Sequence, residues 1–433
     1  MKCIKCGTDN KLKDRTANQG RCIKCNHPFA FEPTSMGQLK ITDPMFAKVL
    51  SDISANNTIF FTPKQLFYFL NLRLGKKSFS SVFGLLFVYL FWSLVIAFGS
   101  ASFTNGNQEI ITLALLIFNS FYIFRVFQAN DSRKLSPKTR RANARLLQFI
   151  GIIILGGGIY TSIMMINSFY AFTLSVLMGM VSIYLGTQYL QKPGLPTQEF
   201  LFSPSEFENW VNRWLQINGL IAKILPPPRE DNTLKTFNPD VTAYSFDRLV
   251  VCDRATIAQL LIANNFHFEN NCAILSINGY PQGIFETMMQ MLRRNPDLQV
   301  YAFHDCSPQG IGLIHHLRTS PKWFQDSNII IIDIGLTPRQ IIAAKGTMFI
   351  QSSPESAQLA KRLTTEIRQD FSSEEIEFLE SGKFVELESF TPQRLIQVLQ
   401  KGINNSKNIE SDDSSLFLVG DTGNDMYVIQ SFG

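Results

Sequence analysis

Four of the seven cysteines lie near the N-terminus in two Cys-x-x-Cys pairs, Cys3 with Cys6 and Cys22 with Cys25. Each pair forms a tight turn that can direct two sulfurs at one ion, and the 15 residues between the pairs suffice for a hairpin that brings them together. Four thiolates in tetrahedral geometry are typical of structural Zn²⁺, with no open position for catalysis. We therefore predict that residues 1–30 fold around one zinc ion.

The segment 1–30 resembles the small zinc ribbons found at the ends of many prokaryotic proteins. Such ribbons bind nucleic acid or protein, and some only stabilise a terminus, so the partner of this one stays open. Gly7 follows the first pair, where the turn favours a residue that tolerates positive φ. His27 is predicted to be a surface residue, because four cysteines already complete the site. The odd number of cysteines indicates a reducing compartment rather than a disulfide framework.

Two long stretches of the chain contain no Asp, Glu, Lys or Arg. One runs from Ser78 to Gln108, and the other covers the 46 residues from Leu146 to Gln191. A helix needs about 20 apolar residues to cross the hydrocarbon core of a bilayer. The sequence therefore predicts a bundle of four transmembrane helices within residues 79–190, and not buried helices of a soluble core. The predicted spans are residues 82–103, 110–127, 147–166 and 170–188.

Positive charge is concentrated in the first half of the chain. Residues 1–194 carry 21 Lys+Arg and 7 Asp+Glu, whereas residues 195–433 carry 19 and 28. Seven basic residues lie from Arg125 to Arg145, whereas the loops at 102–108 and 167–169 have none. Because basic loops stay in the cytoplasm during insertion, we predict an integral protein of a prokaryotic-type inner or plasma membrane with both termini cytoplasmic. The basic loop is expected to contact anionic lipid headgroups rather than nucleic acid.

Two segments flank the predicted spans. Residues 31–78 are interpreted as a helical linker, whose second helix begins at Thr62-Pro63 with the spacing of a capping box. The apolar residues of that helix are expected to pack on the membrane surface. Residues 195–245 predict an amphipathic helix that opens at Ser203, followed by a stiff spacer at the three prolines 226–228.

The remaining residues, 246–433, alternate between apolar strand-like runs and helical stretches. This alternation is typical of a parallel sheet with crossover helices, as in α/β folds. The strand-like runs are residues 249–252, 273–277, 300–303 and 329–334. Helical stretches lie between them, and later segments near 354–370, 373–381 and 392–402 predict a helical C-terminal extension. Residues 404–415, rich in Asn, Ser and Asp, predict a loop.

Several short motifs within residues 246–345 occur in a recognisable order. They are Arg248-Leu-Val-Val-Cys252-Asp253, Asn278-Gly279-Tyr280-Pro281, His304-Asp305-Cys306-Ser307-Pro308-Gln309-Gly310 and Asp333-Ile-Gly335. In order and spacing this region resembles the Toprim domain of topoisomerase VI A subunits and the related meiotic double-strand-break proteins. That family has a strand ending in Glu, a later strand followed by Gly-Tyr-Pro, and then Asp-x-Asp-Pro-x-Gly. The resemblance implies a Toprim-like α/β fold.

The resemblance also implies which positions would hold the family's Mg²⁺. In this chain Cys252 occupies the position of the family's Glu, Asp305 that of its first Asp, and Ser307 that of its second Asp. Two of three carboxylates are thus replaced, although Mg²⁺ prefers oxygen ligands and a thiol suits softer metals. We therefore expect these positions to be vestigial, with Asp305 in a structural role as a cap for the helix that begins near Gln309.

Two further observations argue against DNA cleavage. In the family, the DNA-cleaving tyrosine lies in a separate upstream domain, and here the predicted spans take that place. Tyr244 is expected to pack near the first strand instead. Residues 195–433 carry a net charge of −9, which is unfavourable for binding phosphates. Nucleic acid is therefore not expected as a partner of this domain, although it stays open for the ribbon.

The sequence favours a non-enzymatic membrane protein whose zinc ribbon and degenerate Toprim-like domain bind a protein partner in the cytoplasm. One alternative is a metal-dependent nuclease or phosphotransferase with shifted ligands, Asp253, Asp305 and Asp333. Asp253 would contribute only if its strand ends there, because consecutive strand residues point to opposite faces. The other alternative is a transporter or channel component, which the lack of charged residues in the spans disfavours.

Overall fold

The computed structural model describes residues 1–37, 39–75, 82–103, 107–130, 137–191, 197–228, 246–325, 327–344 and 348–405. The chain forms two compact units, of which one combines Met1–Leu74 with Phe200–Gly433 and the other is Gly75–Glu199. Tyr244, the centre of the basic loop and most of the predicted loop at 404–415 lie outside the described residues.

The first unit begins with two tight turns, each closed by a β-bridge, with helix α1 (Leu12–Ala17) between them. Helices α2 (Asp43–Ile53) and α3 (Pro63–Gly75) follow. The predicted capping box opens α3, because the Gln65 N–H donates to Thr62 Oγ1 and the Thr62 N–H donates to Gln65 Oε1. The start of the helix thus satisfies backbone donors that have no partner within the helix.

One hydrophobic core joins α2 and α3 to helix α8 (Pro204–Asn218), which follows the apolar helices in the chain. The Phe46 and Trp214 rings are 4.9 Å apart, and the Phe67 and Phe200 rings are 4.4 Å apart. The two segments interpreted from the sequence as linkers therefore share a folded core. Leu66 and Phe67 of α3 are buried in it, so the expectation that they pack on the membrane surface is wrong.

The second unit consists of four long helices. They are α4 (Val82–Phe103), α5 (Gln108–Asn130), α6 (Pro137–Thr161) and α7 (Phe169–Gln191), with a π-helical turn at Ser162–Ile166 between the last two. All four are long and apolar enough to cross a membrane. Helices α5 and α6 extend beyond the predicted spans into polar flanking sequence.

Helices α6 and α7 pack closely because small residues face each other. A Cβ added to Gly151 would lie 2.7 Å from the carbonyl oxygen of Gly179, and one added to Gly158 would lie 2.6 Å from Cβ of Ser175. Side chains larger than these would force the backbones apart, as at other small-residue contacts between apolar helices.

The C-terminal part of the first unit contains a four-stranded parallel sheet, which confirms the predicted α/β domain. Its strands are β1 (Arg248–Cys252), β2 (Cys272–Ser276), β3 (Gln299–Phe303) and β4 (Ile330–Asp333), in the order β2-β1-β3-β4. β2 is buried along its whole length, and β1 and β3 are buried except at their first residue, as expected of a parallel sheet covered on both faces.

Short helices connect the strands and follow them. The crossover helices are α9 (Ala255–Ala263), α10 (Phe266–Asn270), α11 (Gln282–Leu292), α12 (Pro308–Ile311) and α13 (Leu313–Thr319), and α14 (Pro338–Ala343) follows β4. The extension contains β5 (Gln351–Ser352), α15 (Pro354–Lys361), α16 (Thr365–Gln369), α17 (Ser373–Glu380), β6 (Lys383–Phe384), a 3₁₀ turn (Leu387–Ser389) and α18 (Pro392–Asn405). β5 and β6 form an antiparallel pair.

The strand order reverses between β1 and β3. In open α/β sheets the crevice at the carboxyl ends of such neighbouring strands is the usual place of a ligand site. Asp253 and Arg254 follow β1 at this edge, and His304 and Asp305 follow β3. The topology therefore gathers the polar residues of the sequence motifs at one place.

Candidate functional site

The four cysteines near the N-terminus come together as predicted. Their sulfur atoms all lie within 4.8 Å of one another, with 3.6 Å between Cys3 and Cys25 and 3.5 Å between Cys6 and Cys22. Four sulfurs bound tetrahedrally at about 2.3 Å from one Zn²⁺ would be about 3.8 Å apart. The cluster therefore has the donor set and the size of a closed tetrahedral metal site.

The two turns that carry the cysteines have the same construction. The Gly7 N–H donates to the Cys3 carbonyl, and the Asn26 N–H donates to the Cys22 carbonyl, each at 2.9 Å. Gly7 and Asn26 both have positive φ, of 72° and 56°. The expectation for Gly7 is thus confirmed, and Asn26 is its counterpart, since Asn is the residue other than Gly that most readily adopts this conformation.

Two polar residues beside the cysteines have different roles. Asn10 is fully buried, its amide donates to Cys22 Sγ at 3.6 Å, and its oxygen accepts the Ile23 N–H at 2.9 Å. Asn10 therefore orients the turn of Cys22 and Cys25 although it is not one of the four sulfur ligands. The spacing of the cysteines did not reveal this role. His27 lies 3.0 Å from Asn218 Oδ1 and is not part of the cluster.

The three positions of the Toprim motif have separate surroundings. Cys252 ends β1 and is fully buried, and burial raises the pKa of its thiol well above the usual value. Ser307 is the N-cap of α12, because its Oγ accepts the Gly310 N–H at 3.1 Å. The prediction that Asp305 caps this helix is wrong, since Ser307 occupies the capping position. A Cβ at Gly310 would lie 2.2 Å from the Asp305 carbonyl oxygen, so only glycine fits there.

Asp305 instead forms an ion pair with Arg254. Nη2 of Arg254 lies 2.8 Å from Oδ2 of Asp305 and 2.9 Å from Oε1 of Glu386. Nη1 of the same side chain lies 3.7 Å from Glu388 Oε2. The other oxygen of Asp305 accepts the Leu387 N–H. One guanidinium thus faces three carboxyl groups, and all three are almost completely buried.

Helix α3 supplies further partners to the same carboxyl groups. Lys64 Nζ lies 2.7 Å from Glu386 Oε1, and the Tyr68 hydroxyl donates to Glu386 Oε2 at 2.6 Å. The Thr62 hydroxyl donates to Glu388 Oε1 at 2.8 Å. We call Asp305, Glu386, Glu388, Arg254 and Lys64 the charge cluster.

The pKa shifts in the charge cluster follow from burial and from these partners. Burial, together with the nearby Asp253, raises the pKa of Asp305 well above its usual range, and Arg254 opposes this. Burial also raises the pKa of Glu388. Burial disfavours the charged form of Glu386 too, but Lys64 and Arg254 outweigh it and lower its pKa. The two basic side chains are therefore the counter-charges on which ionisation of the carboxyl groups depends.

The three acids of the alternative metal site do not converge. β1 ends at Cys252, so Asp253 can turn, and its Oδ2 accepts the Asp305 N–H at 2.9 Å. Asp333 accepts hydrogen bonds from His304 at 3.0 Å and from the Gly335 N–H at 2.7 Å. Among the described residues, the four cysteines are the only His, Cys, Asp or Glu side chains that bring three or more ligand atoms together.

His304 is a buried titratable residue to which the sequence motifs assigned no role. It is 1% exposed, its Nδ1 lies 2.9 Å from the Asp305 carbonyl oxygen, and its Nε2 lies 3.0 Å from Asp333. Both neighbours accept hydrogen bonds, so both ring nitrogens must donate, as in a protonated imidazole. Burial lowers the pKa of His304, but Asp333 outweighs it and raises the pKa to about 9.

All residues of the charge cluster except Lys64 lie in a region that matches a known protein family. Residues 249–402 match the Toprim domain of the Topoisomerase 6 A-subunit/Spo11 family. The match bears out the resemblance seen in the sequence motifs and extends it through Glu386 and Glu388 into α18. It covers about a third of the chain and includes neither the cysteine cluster nor the four apolar helices. A comparison of the chain with curated proteins finds no significant match.

Proposed function

We propose that this chain is an integral membrane protein whose cytoplasmic Toprim-like domain binds a protein partner without catalysing a reaction. The observation that carries the proposal is the position of Arg254, which contacts Asp305, Glu386 and Glu388 at the carboxyl edge of the sheet. A fixed guanidinium supplies the positive charge that a divalent cation would otherwise bring to these carboxyl groups.

The chemistry of the charge cluster supports this proposal. Mg²⁺ requires several oxygen ligands in near-octahedral geometry and keeps some of its water. Here the available oxygens are engaged by Arg254, Lys64, Tyr68 and Thr62. The family's other two ligand positions are the buried thiol of Cys252 and a helix-capping hydroxyl. Without a cation held in an open site, phosphoryl-transfer chemistry loses its main source of charge stabilisation.

The membrane assignment rests on the four apolar helices. Large side chains lie exposed on their surfaces, including Phe98 at 71% and Phe124 at 59%. Contiguous exposed apolar surface of this kind is uncommon on a soluble protein. A bilayer covers it, and the basic loops then set both termini in the cytoplasm. Lipid is thus the first partner of the chain.

Zinc is the metal that the cysteine cluster fits best. Four thiolates at these spacings form a closed site, and closed sites of this kind contribute folding energy rather than catalysis. In our proposal the ion holds residues 1–30 as a second contact surface beside the Toprim-like domain. The ribbon is also the part of the chain for which a nucleic-acid partner stays open.

The test is a cleavage assay on the full-length protein, purified in detergent. Supercoiled and single-stranded DNA are incubated with it in Mg²⁺ and in Mn²⁺, beside an Asp305→Ala variant purified in the same way. We expect no cleavage above the level of the variant. Cleavage that requires Asp305 would contradict the proposal.

Metal binding gives a second, independent measurement. Mn²⁺ binding is followed by electron paramagnetic resonance, with Cys3→Ser/Cys22→Ser as the background so that the ribbon does not contribute. We expect no specific Mn²⁺ site. The second candidate function, a metal-dependent nuclease, is favoured by the family match, and a stoichiometric Mn²⁺ site abolished by Asp305→Ala would support it.

A further inference from the structure

Strand β4 forms one edge of the parallel sheet, and among the described residues it pairs only with β3. Its residues are Ile330-Ile331-Ile332-Asp333, and Ile330 is 55% exposed while the others are partly exposed. The opposite edge strand, β2, is buried at every position. An exposed, apolar edge strand is a template for pairing with another strand. In the part of the chain that the structure describes, no strand pairs with the outer edge of β4.

The register with β3 determines which backbone groups of β4 face outward. The Ile334 N–H donates to the Ala302 carbonyl at 2.9 Å, just beyond the end of the strand. Backbone groups alternate in direction along a strand, so Ile332 and Ile330 also face β3. The N–H and C=O groups of Ile331 and Asp333 then point away from the sheet, where a further strand would pair.

Helix α18 leads the chain to this edge. It is amphipathic, and it buries Leu395, Leu399 and Ile403 completely. A Cβ added to Gly402 would lie 2.7 Å from the side chain of Ile334, so the last turn of α18 touches the residue that follows β4. The chain therefore leaves α18 beside the carboxyl end of β4.

The 28 residues after α18, from 406 to 433, lie outside the described residues. Their sequence contains Leu416-Phe417-Leu418-Val419 and Met426-Tyr427-Val428-Ile429, with Gly420-Asp421-Thr422-Gly423-Asn424-Asp425 between them. Apolar runs rich in β-branched and aromatic residues, separated by Gly, Asp and Asn, are the sequence signal of a β-hairpin. Ten residues, all polar except Ile409, precede the first run, a length that extends to about 33 Å.

We propose that residues 416–429 pair with the free edge of β4 and extend the parallel sheet. The backbone groups of Ile331 and Asp333 supply the hydrogen bonds, and apolar side chains of the segment cover Ile330. This mode of recognition joins main-chain hydrogen bonds, which give affinity, to side-chain contacts, which give the register. The proposal is independent of the absence of catalysis proposed above.

Hydrogen exchange on the full-length protein in lipid nanodiscs tests the pairing. The measured peptide covers residues 329–334, in the wild type, in a chain ending at Asn405, and in Leu418→Pro and Val428→Pro variants. A proline removes a strand donor and is excluded from the interior of a sheet. We expect exchange at the Ile331 and Asp333 amides to be at least about tenfold faster in the three variants. Asp412→Pro, placed before the apolar runs, is the matched control and should exchange like the wild type.

A peptide covering β1 reports whether the variants stay folded, since it should remain protected in all of them. Equal exchange of residues 329–334 in the wild type and the shortened chain overturns the proposal. If a variant loses protection in β1, crosslinking decides instead. Ile330→Cys is combined with a single cysteine at each of positions 416–419 and 426–429. A disulfide within one chain supports the pairing, whereas none at any position, or one only between chains, contradicts it.

Discussion

The Arg254 guanidinium lies 2.8 Å from the Asp305 carboxylate, at the carboxyl edge of the parallel sheet. The two residues follow neighbouring strands, β1 and β3, and the sheet brings them together across 51 positions of sequence. The positive charge of Arg254 thus compensates the negative charge of the Asp305 carboxylate, which is 1% exposed. Removing one partner of such a pair costs more than the pair itself contributes, because the other charge stays buried.

The substitution Arg254→Ala should therefore destabilise the protein. We expect a loss of about 3 kcal/mol in the free energy of unfolding, since three buried carboxyl groups lose their shared partner. This value is at the low end of the usual range for breaking a buried ion pair, about 3–5 kcal/mol. The reason is that Arg254 is 35% exposed, so solvent screens part of the interaction. Chemical denaturation of the detergent-solubilised protein measures the change.

Arg294→Ala is the matched control, because Arg294 is also basic and lies exposed after α11. It should alter the free energy of unfolding by less than about 0.5 kcal/mol. An equal effect of the two substitutions would show that Arg254 has no special role in the charge cluster.

The cysteine cluster should carry one zinc ion per chain. The double substitution Cys3→Ser/Cys22→Ser removes one ligand from each turn, so we expect the zinc content to fall to background and residues 1–30 to become sensitive to protease. Elemental analysis of the purified protein measures the zinc. His27→Gln is the control, because His27 lies outside the cluster, and it should retain the full zinc content. Full zinc content in the double variant would refute the ligand assignment.

The His304–Asp333 pair should make the folded protein less stable at alkaline pH. Asp333 raises the pKa of His304 from 6.5 to about 9, so the folded state binds this proton more tightly than the unfolded state. The stabilising contribution is therefore complete below pH 6.5 and is lost as the pH rises through about 9. A shift of this size corresponds to about 3 kcal/mol at low pH.

Asp333→Asn removes the charge that holds the proton on His304. The difference in melting temperature between wild type and this variant should be largest near pH 6 and should vanish above about pH 9.5. Asp297→Asn, an exposed acid in the loop before β3, should show no such pH-dependent difference. A difference between wild type and Asp333→Asn that does not change with pH would mean that the pair acts only through packing.

Topology is tested with reporter fusions at three positions. Alkaline phosphatase, active only outside the cytoplasm, should be active when fused at Asn105 or Ser168 and inactive at the C-terminus. A fluorescent protein, which folds in the cytoplasm, should show the reverse pattern. The reason is that every strongly basic segment flanking the four helices then lies inside. Activity of the same reporter at Asn105 and at the C-terminus would exclude four spans.

The features that the sequence predicted well depend on local spacing. Two Cys-x-x-Cys turns need only a few residues each, and four apolar runs alternating with helical stretches suffice to predict the parallel sheet. The Toprim-type motifs added the family resemblance, which the match over residues 249–402 bears out. Each of these signals lies within a short window of sequence, where side-chain pattern and backbone geometry are directly linked.

The features that the sequence missed depend on contacts between distant residues. Glu386 and Glu388 lie more than 130 positions from Arg254 and more than 320 from Lys64, and no local pattern connects them. The apolar residues of α3 were expected to pack on the membrane surface, whereas they share a core with α8. Ser307 was considered only as a lost ligand, although Ser before Pro is itself a helix-capping signal.

The core shared by α2, α3 and α8 also constrains the order in which the protein can fold. Phe46 and its partner Trp214 lie on opposite sides of the four apolar helices in the chain, so these helices are inserted in sequence within another folded unit. The first 74 residues leave the ribosome before their core partners exist, and they complete their core only after all four helices have been synthesised. A fragment that starts after the last helix would lack half of this core.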